Sequence, residues 1–452
     1  MEKRVAIVGA GISGLLACKY TASKGFNPVV FEAQDQVGGL WNHTIESTRL
    51  QIPKETFEFS DFPWPPSADM FPHNTQLQDY LRSYARNFQL LQYVQFNSTV
   101  VSIDYVGDNH ESLEDMQFWE LWGGAGKAFG SKGKWHLKVK DTKQDSIKRF
   151  SGLPDIPEFP PGYGPDAFSG EALHSVDYAA MDNASAAELI KGKRIAVIGS
   201  AKSAVDIAFE CANTNDRWVM SKFVESYVRW KLPLKKYDMV PKESFVQEAS
   251  SCQIFFLPEN FYDRVEDGSI VFRKSSQFRF CREGLILDGE DGPLKADLII
   301  FATGYRGDEK LKNIFACPTF QNWIAGSPTS IIPLYRQMIH PRIPQLAVIG
   351  YSESLSNLFI FEMRCKWLAF FLDQAFQLPS IKEMEKDINT WEKYMKKYAG
   401  NGKFRRSCIG GAHIWYNDQL CKDIGISPRR KKGFLSEFFE PYGLGDYRGL
   451  GP

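Results

Sequence analysis

Arg4-Val5-Ala6-Ile7-Val8-Gly9-Ala10-Gly11-Ile12-Ser13-Gly14 decides how the rest of the chain is read. The four apolar residues Val5 to Val8 are too short a run for a helix and predict a strand buried on both faces. Gly9-x-Gly11-x-x-Gly14 follows at once, and Leu15 to Tyr20 continues as a helix. Gly9 makes a tight turn, Gly11 lets backbone approach a pyrophosphate, and Gly14 lets helix and strand pack closely. Ala10, Ile12 and Ser13 complete the loop at the helix N-terminus, where free N–H groups and the positive dipole end favour an anion. A second strand, Pro28 to Phe31, ends in Glu32, 18 residues after Gly14. An acid at that distance accepts hydrogen bonds from a ribose 2′-OH. The unit predicts a dinucleotide site.

The chain has 452 residues, enough for two or three domains with real cores. Hydrophobic residues make up 43% and aromatic residues 14%, which excludes a disordered chain. Lys+Arg and Asp+Glu are both 54, so no net field recruits nucleic acid or a membrane surface. Arg429-Arg430-Lys431-Lys432 reads as a solvated face. The eight cysteines show no CxxC spacing, so neither a dithiol centre nor a metal site is expected. The first strand starts too early for a signal peptide, and no apolar run is long enough to span a bilayer. A soluble, reduced, cytoplasmic protein is the expectation.

Beyond Glu32, Gly38-Gly39-Leu40-Trp41 offers a second close backbone approach to a ligand at Gly39, Leu40 and Trp41. The proline- and aromatic-rich stretch from Pro53 to Pro72 is either a loop packed on the core or a wall of the site. Thr75 is the expected N-cap of a helix from Gln76 to Phe88 with Leu77, Tyr80, Leu81 and Tyr84 on its apolar face. Strands are expected over Thr99–Val106, Gln117–Trp122 and Trp135–Val139, the last two as a hairpin. Five prolines between Ser151 and Pro165 mark a stiff linker.

A second strand–turn–helix follows it. Arg194 to Ile198 is a buried strand, and Gly199-Ser200-Ala201-Lys202-Ser203-Ala204 repeats the GxGxxG spacing with alanine at the later two positions. Ser203 and the following helix, Val205 to Cys211, can still hold a diphosphate. Two dinucleotide folds in one chain point to one that holds a flavin and one that supplies hydride. Ala296 to Tyr305 reads as a buried strand ending in a Thr-Gly turn at Thr303, and Leu346 to Gly350 as one more. A helix from Leu358 to Phe371 aims its N-terminus at the flavin, and Ile381 to Tyr398 forms a charged amphipathic helix.

Four motifs together resemble the flavin-containing monooxygenases, in particular the plant members similar to the pathogen-response enzyme. They are Gly9-x-Gly11-x-x-Gly14; Gly38-Gly39-Leu40-Trp41; Phe168-x-Gly170-x-x-x-His174-x-x-x-Tyr178; and Phe301-Ala302-Thr303-Gly304-Tyr305. The resemblance implies an α/β protein with two Rossmann-like domains, the NADP domain inserted in the FAD domain. Its boundaries are expected at 1–150 and 298–452 for FAD and 151–297 for NADP. It implies FAD and NADPH as cofactors and molecular oxygen as co-substrate. The implied reaction oxygenates nitrogen or sulfur of a small amine, amino acid or thioether through a C4a-hydroperoxyflavin. Gln51 stands where animal members carry an asparagine near the flavin, and is the implied catalytic residue. His174 is implied to be structural.

The chain also departs from the family twice. An apolar strand that returns from the meander to the FAD sheet before Ser151 is missing. So is a long segment after the second Rossmann helix, where only Asn213 to Trp218 remains and Arg217 is the sole nearby cation for a 2′-phosphate. The competing readings are an uncoupled NADPH oxidase that releases hydrogen peroxide, and a silent FAD-binding variant.

Overall fold

The computed structural model describes residues 4–45, 48–106, 133–141, 153–199, 203–204, 206–208, 236, 251–252, 257, 260–354, 356–398, 405–410, 412–428, 430–431 and 444–447. β1 (Arg4–Val8) turns into α1 (Ile12–Ser23), and β2 (Asn27–Phe31) returns parallel to β1 with Val8 opposite Phe31. α2 (Asn74–Asn87) leads to β3 (Val94–Gln95), which pairs parallel with β2, so the first sheet has the order β1-β2-β3. β4 (Ser98–Val106) and β5 (Lys134–Asp141) form an antiparallel ribbon with Tyr105 opposite Trp135. The expected strand 117–122 lies outside the described residues.

β6 (Leu153–Pro154), β7 (Glu171–His174), α3 (Ser175–Ala179), α4 (Asn183–Ile190) and β8 (Ile195–Ile198) come next, followed by α5 (Phe261–Glu266). β9 (Phe278–Cys281), β10 (Gly284–Leu287) and β11 (Leu294–Lys295) make a small antiparallel sheet. β12 (Leu298–Phe301) then runs between β7 and β8, parallel to both. β13 (Tyr305–Arg306) pairs antiparallel with β6. The last part carries α6 (Gly307–Asn313), α7 (Pro318–Ala325), β14 (Glu353–Ser354), α8 (Asn357–Leu372), α9 (Ile381–Tyr398), β15 (Cys408–Gly410) and α10 (His413–Asp423). α8 is apolar around nearly its whole circumference, and it is buried accordingly between α1 and α10. Among the described residues no helix is long and apolar enough to cross a membrane.

Several expectations change. β1 is not buried on both faces: Val8 is 52% exposed, because β2 is the only strand pairing β1 among the described residues. β8 likewise ends its sheet and is half-buried, whereas β12, paired on both sides, is fully buried. A domain boundary at 297/298 would cut off β12, the central strand of the second sheet; hydrogen bonding assigns it to β7 and β8. Leu346 to Gly350 is not a strand, since its backbone groups bond to Met338 O and the Arg364 guanidinium instead of a ladder.

Thr75 is not the cap of α2. The helix starts at Asn74, and the His73 N–H donates to Gln76 Oε1 at 3.1 Å. The proline-rich stretch packs on the core: Trp64 stacks on Tyr80 at 3.9 Å and Phe59 on Tyr84 at 3.6 Å. Arg430 and Lys431 are not a solvated face. Arg430 lies 3.7 Å over the Tyr447 ring and Lys431 pairs with Asp446 at 3.2 Å. The fully reduced set of thiols is also corrected, because Cys252 and Cys408 form a disulfide.

Candidate dinucleotide and flavin site

Three glycines shape the first loop, each through a different contact. Gly9 has φ +94°, a left-handed turn open to glycine. A Cβ on Gly14 would lie 1.9 Å from the Gly9 carbonyl oxygen, so the helix packs against the turn only without a side chain. A Cβ on Gly11 would meet the Gly39 Cα at 3.6 Å, and one on Gly39 would meet the Gly11 Cα at 3.0 Å. The two glycine loops therefore dock on each other, and Gly38 N–H donates to Ala10 O at 3.1 Å. Gly38 and Gly39 were expected to face a ligand; part of their role is this loop-to-loop contact.

No side chain caps α1 and no acid lies in its first turn. Its first-turn N–H groups are offered to an anion between the two loops. Leu40, 52% exposed, rims the same place, and Trp41 is held by Gln78 Nε2 donating to its carbonyl at 2.6 Å. The residues present thus fit a diphosphate. Glu32 has backbone partners of its own. It is buried, and its two oxygens accept Ala10 N–H at 2.5 Å and Gln34 N–H at 3.0 Å. The carboxylate fastens the glycine loop to the end of β2; a ribose contact would use its remaining lone pairs.

Beneath the loop lies a polar frame that sequence reasoning missed. On α8, Glu362 accepts from Tyr20 OH at 2.6 Å and Ser60 N–H at 2.9 Å, and Lys366 pairs with it at 3.1 Å. Burial would raise the Glu362 carboxyl, but Lys366 and the hydrogen bonds from Ser60 and Tyr20 outweigh it and hold it below the ordinary carboxylate range. Two residues along, Arg364 is fully buried and donates to Ile349 O and Tyr416 OH, both at 2.8 Å. Next to Ile349, Gly350 lies so near α1 that a Cβ there would come 2.7 Å from Ser13 Oγ. The signal was present in the sequence: three charges, Glu362, Arg364 and Lys366, inside an otherwise apolar helix.

The second loop is built in a similar way. Gly199 has φ +146°, and a Cβ there would lie 2.4 Å from Ala302 O. Ser203 is half-buried and Ala204 buried; Ser200, Ala201 and Lys202 lie outside the described residues. The register sets His174 opposite Phe301, which brings two of the sequence motifs side by side. His174 Nδ1 accepts from Val176 N–H at 3.2 Å and caps α3, a structural role. Thr303, expected at a cofactor, donates its hydroxyl proton to the Asp155 carbonyl. With Asp155 N–H on Gly304 O at 3.1 Å, it clips the linker to the end of β12. Gln51 is exposed in the bend after Leu50.

The flavin-binding monooxygenase-like family model matches residues 2–247 and 231–438. A probable flavin-containing monooxygenase 1 of Arabidopsis thaliana is 38% identical over 524 residues, covering 99% of this chain and 96% of its own. That alignment is longer than this chain, so the relative carries segments absent here. A dimethylaniline monooxygenase [N-oxide-forming] 2 of Cavia porcellus is 27% identical, covering 100% and 89%. Among solved structures, the S-allyl-L-cysteine S-oxygenase from Allium sativum superposes with a TM-score of 0.58 at 20% identity, covering 94% and 89%. An oxidised steroid monooxygenase bound to NADP gives 0.62 at 15%, covering 93% and 97%. These two likenesses show the fold.

Proposed function

This chain belongs to the flavin-binding monooxygenase-like family, enzymes that are flavin-dependent monooxygenases, and we propose that it uses FAD and NADPH to place one oxygen atom on a small molecule. The atom oxygenated is nitrogen or sulfur of an amine, amino acid or thioether, a reading supported by the names of the relatives. Bound FAD, reduced by NADPH, supplies the chemistry that divides O2 between substrate and water. The single observation that carries the reading is the mutual docking of the Gly11 and Gly39 loops at the uncapped N-terminus of α1.

The protein's own residues bind and orient. Gly9, Ala10, Gly11, Ile12, Ser13 and Gly14 present backbone N–H groups to the FAD diphosphate, and Glu32 keeps that loop in place. Gly39, Leu40 and Trp41 close the far side. Gly199, Ser200, Ala201, Lys202, Ser203 and Ala204 hold NADPH, and Thr303 fixes the linker between the two cofactor units. Gln51 is assigned to the flavin side only by family position. No side-chain acid or base is asked to attack the substrate. The domain plan is FAD, NADP and FAD again along the chain, with β12 kept in the middle unit, and the enzyme acts in the cytoplasm.

Among the described residues β1 and β8 pair on one side only, which favours one second reading, an oxidase that returns hydrogen peroxide in place of oxygenated product. A nicotinamide displaced by ~1 Å costs about a hundredfold in rate. Anaerobic mixing with NADPH, then oxygen with an amine or thioether present, tests both. Flavin reduction followed by oxygenated product supports the monooxygenase; reduction followed only by peroxide supports the oxidase. Absence of flavin reduction overturns both.

A further inference from the structure

Cys252 and Cys408 are 156 residues apart in sequence, with their Cα atoms 5.8 Å apart. Cys252 is half-buried against the core that holds α8, α9 and α10, beside the buried Ser251. Cys408 is 1% exposed in β15, opposite Glu353 of β14. The Cys252 sulfur also lies 3.7 Å from the Glu353 carbonyl. From Glu353 the chain passes through Ser354, whose N–H donates to Asn357 Oδ1 at 2.7 Å, directly into α8. α8 in turn packs on α1 and reaches its loop, with Cys365 Sγ 3.7 Å from Ser13 O. A bond between the two sulfurs therefore ties residues 251–252 to the β14–β15 pair from which the chain enters α8.

The other cysteines of the described residues are placed differently. Cys18, Cys365 and Cys421 are buried, and burial pushes the Cys18 thiol up to about 12 and raises the other two. Thiols held protonated in this way are poor nucleophiles. Cys281 and Cys317 are half-buried and unpaired with any thiol.

We infer that Cys252 and Cys408 are an oxidisable dithiol, closed by hydrogen peroxide into a staple that fixes residues 251–252 to the frame of the flavin site. The chemistry balances. The more exposed Cys252 thiolate attacks one peroxide oxygen, the O–O bond breaks, and the leaving hydroxide takes a proton to become water. The Cys408 thiol then displaces hydroxide from the resulting sulfenic acid, so S–O breaks, S–S forms and a second water leaves. Two electrons pass from the sulfurs to peroxide. Uncoupled flavin turnover makes this oxidant, but the inference needs only added peroxide and stands apart from the proposed activity. Closing a loop this long restrains the unfolded chain strongly.

The test uses the full-length protein with its flavin, one portion treated with dithiothreitol and one with hydrogen peroxide, both then alkylated and digested. A peptide pair joining Cys252 and Cys408 is expected after peroxide and absent after dithiothreitol. The peroxide-treated protein should melt higher by roughly 5 °C or more and release flavin more slowly. Cys252→Ser should abolish the difference between the two treatments. The inference is overturned if peroxide links other cysteines or none, or if the link forms and neither melting nor flavin release changes. If Cys252→Ser does not fold, the two treatments of the unaltered chain decide alone.

Discussion

The hydroxyl of Tyr20 on α1 donates to the carboxylate of Glu362 on α8 at 2.6 Å, a contact across 342 residues. It joins the helix that begins the chain's first nucleotide unit to the helix that closes the flavin frame. Ser60 and Lys366 complete the shell around the same carboxylate. A buried charge pair stabilises little over apolar packing, but removing one partner leaves the other unpaired at about 3–5 kcal/mol. Glu362→Ala is therefore expected to destabilise the protein by about that much, and Tyr20→Phe by about 1–3 kcal/mol. Denaturant unfolding of both variants checks the order. Equal losses would show that the hydroxyl, not the ion pair, dominates.

The glycines of the first loop are expected to separate by phenotype. Gly14→Ala places a methyl 1.9 Å from Gly9 O, so the loss should be of folding. A Cβ at position 11 meets the Gly39 Cα at an ordinary 3.6 Å, so Gly11→Val is expected to fold and to purify without flavin. Circular dichroism and flavin absorbance, measured together, read the difference. A folded Gly11→Val variant with normal flavin content would remove the diphosphate from this loop.

Nicotinamide selectivity is expected to be poor. The segment after Cys211 is short, and Ala201 replaces the second glycine of the motif. Loss of an arginine–phosphate hydrogen bond of ~1.5–3 kcal/mol lowers discrimination about tenfold or more. Stopped-flow reduction with NADPH and NADH should give rates within about tenfold of each other. Strong preference for NADPH would identify Arg217 or Lys202 as the phosphate ligand.

Thr303 is expected to affect coupling more than reduction. Its hydroxyl clips Asp155 to the end of β12, and Arg306 pairs with the Asp155 carboxylate at 3.3 Å. Thr303→Val keeps the shape and removes the donor. The ratio of peroxide formed to NADPH consumed should rise severalfold, while flavin content stays constant. An unchanged ratio would confine the clip to a structural role.

Acid should destabilise the fold through His340. This histidine is buried, stacked on Trp323 with its Nδ1 accepting from Arg342 N–H at 3.0 Å, and burial pushes it down to about 3. The unfolded chain takes up that proton near pH 6.5, the folded chain only near 3. Stability from this residue is therefore complete above 6.5 and falls with pH below it, by up to about 1.4 kcal/mol per unit. His174 and His413, also lowered by burial, act in the same direction. Glu362 works the same way further down, its contribution lost as pH falls through a value below the ordinary carboxylate range. Unfolding free energy measured at pH 7, 6, 5 and 4 should decline, and His340→Gln should flatten the upper part. A parallel decline in that variant would exclude His340 as the source.

Local sequence specifies the nucleotide fold, because strand, tight turn and helix N-terminus are built from neighbouring residues. Val5 to Gly14 carries its instructions within one stretch, as do the apolar face of α2 and the full length of α9. FxGxxxHxxxY named the family for a related reason: His174 caps α3 two residues away, a contact its own neighbours dictate. Contacts that depend on distant partners emerge only once the chain has folded. Glu32 met Ala10 N–H and Thr303 met the Asp155 carbonyl, backbone partners that folding brings from elsewhere in the chain. β12 joined the second sheet because hydrogen-bonded edges, not sequence order, assign strands. Val8 stayed exposed because no described strand covers the far edge of β1. Cys252 met Cys408 because folding closed 156 residues of chain, which no spacing rule in the sequence encodes.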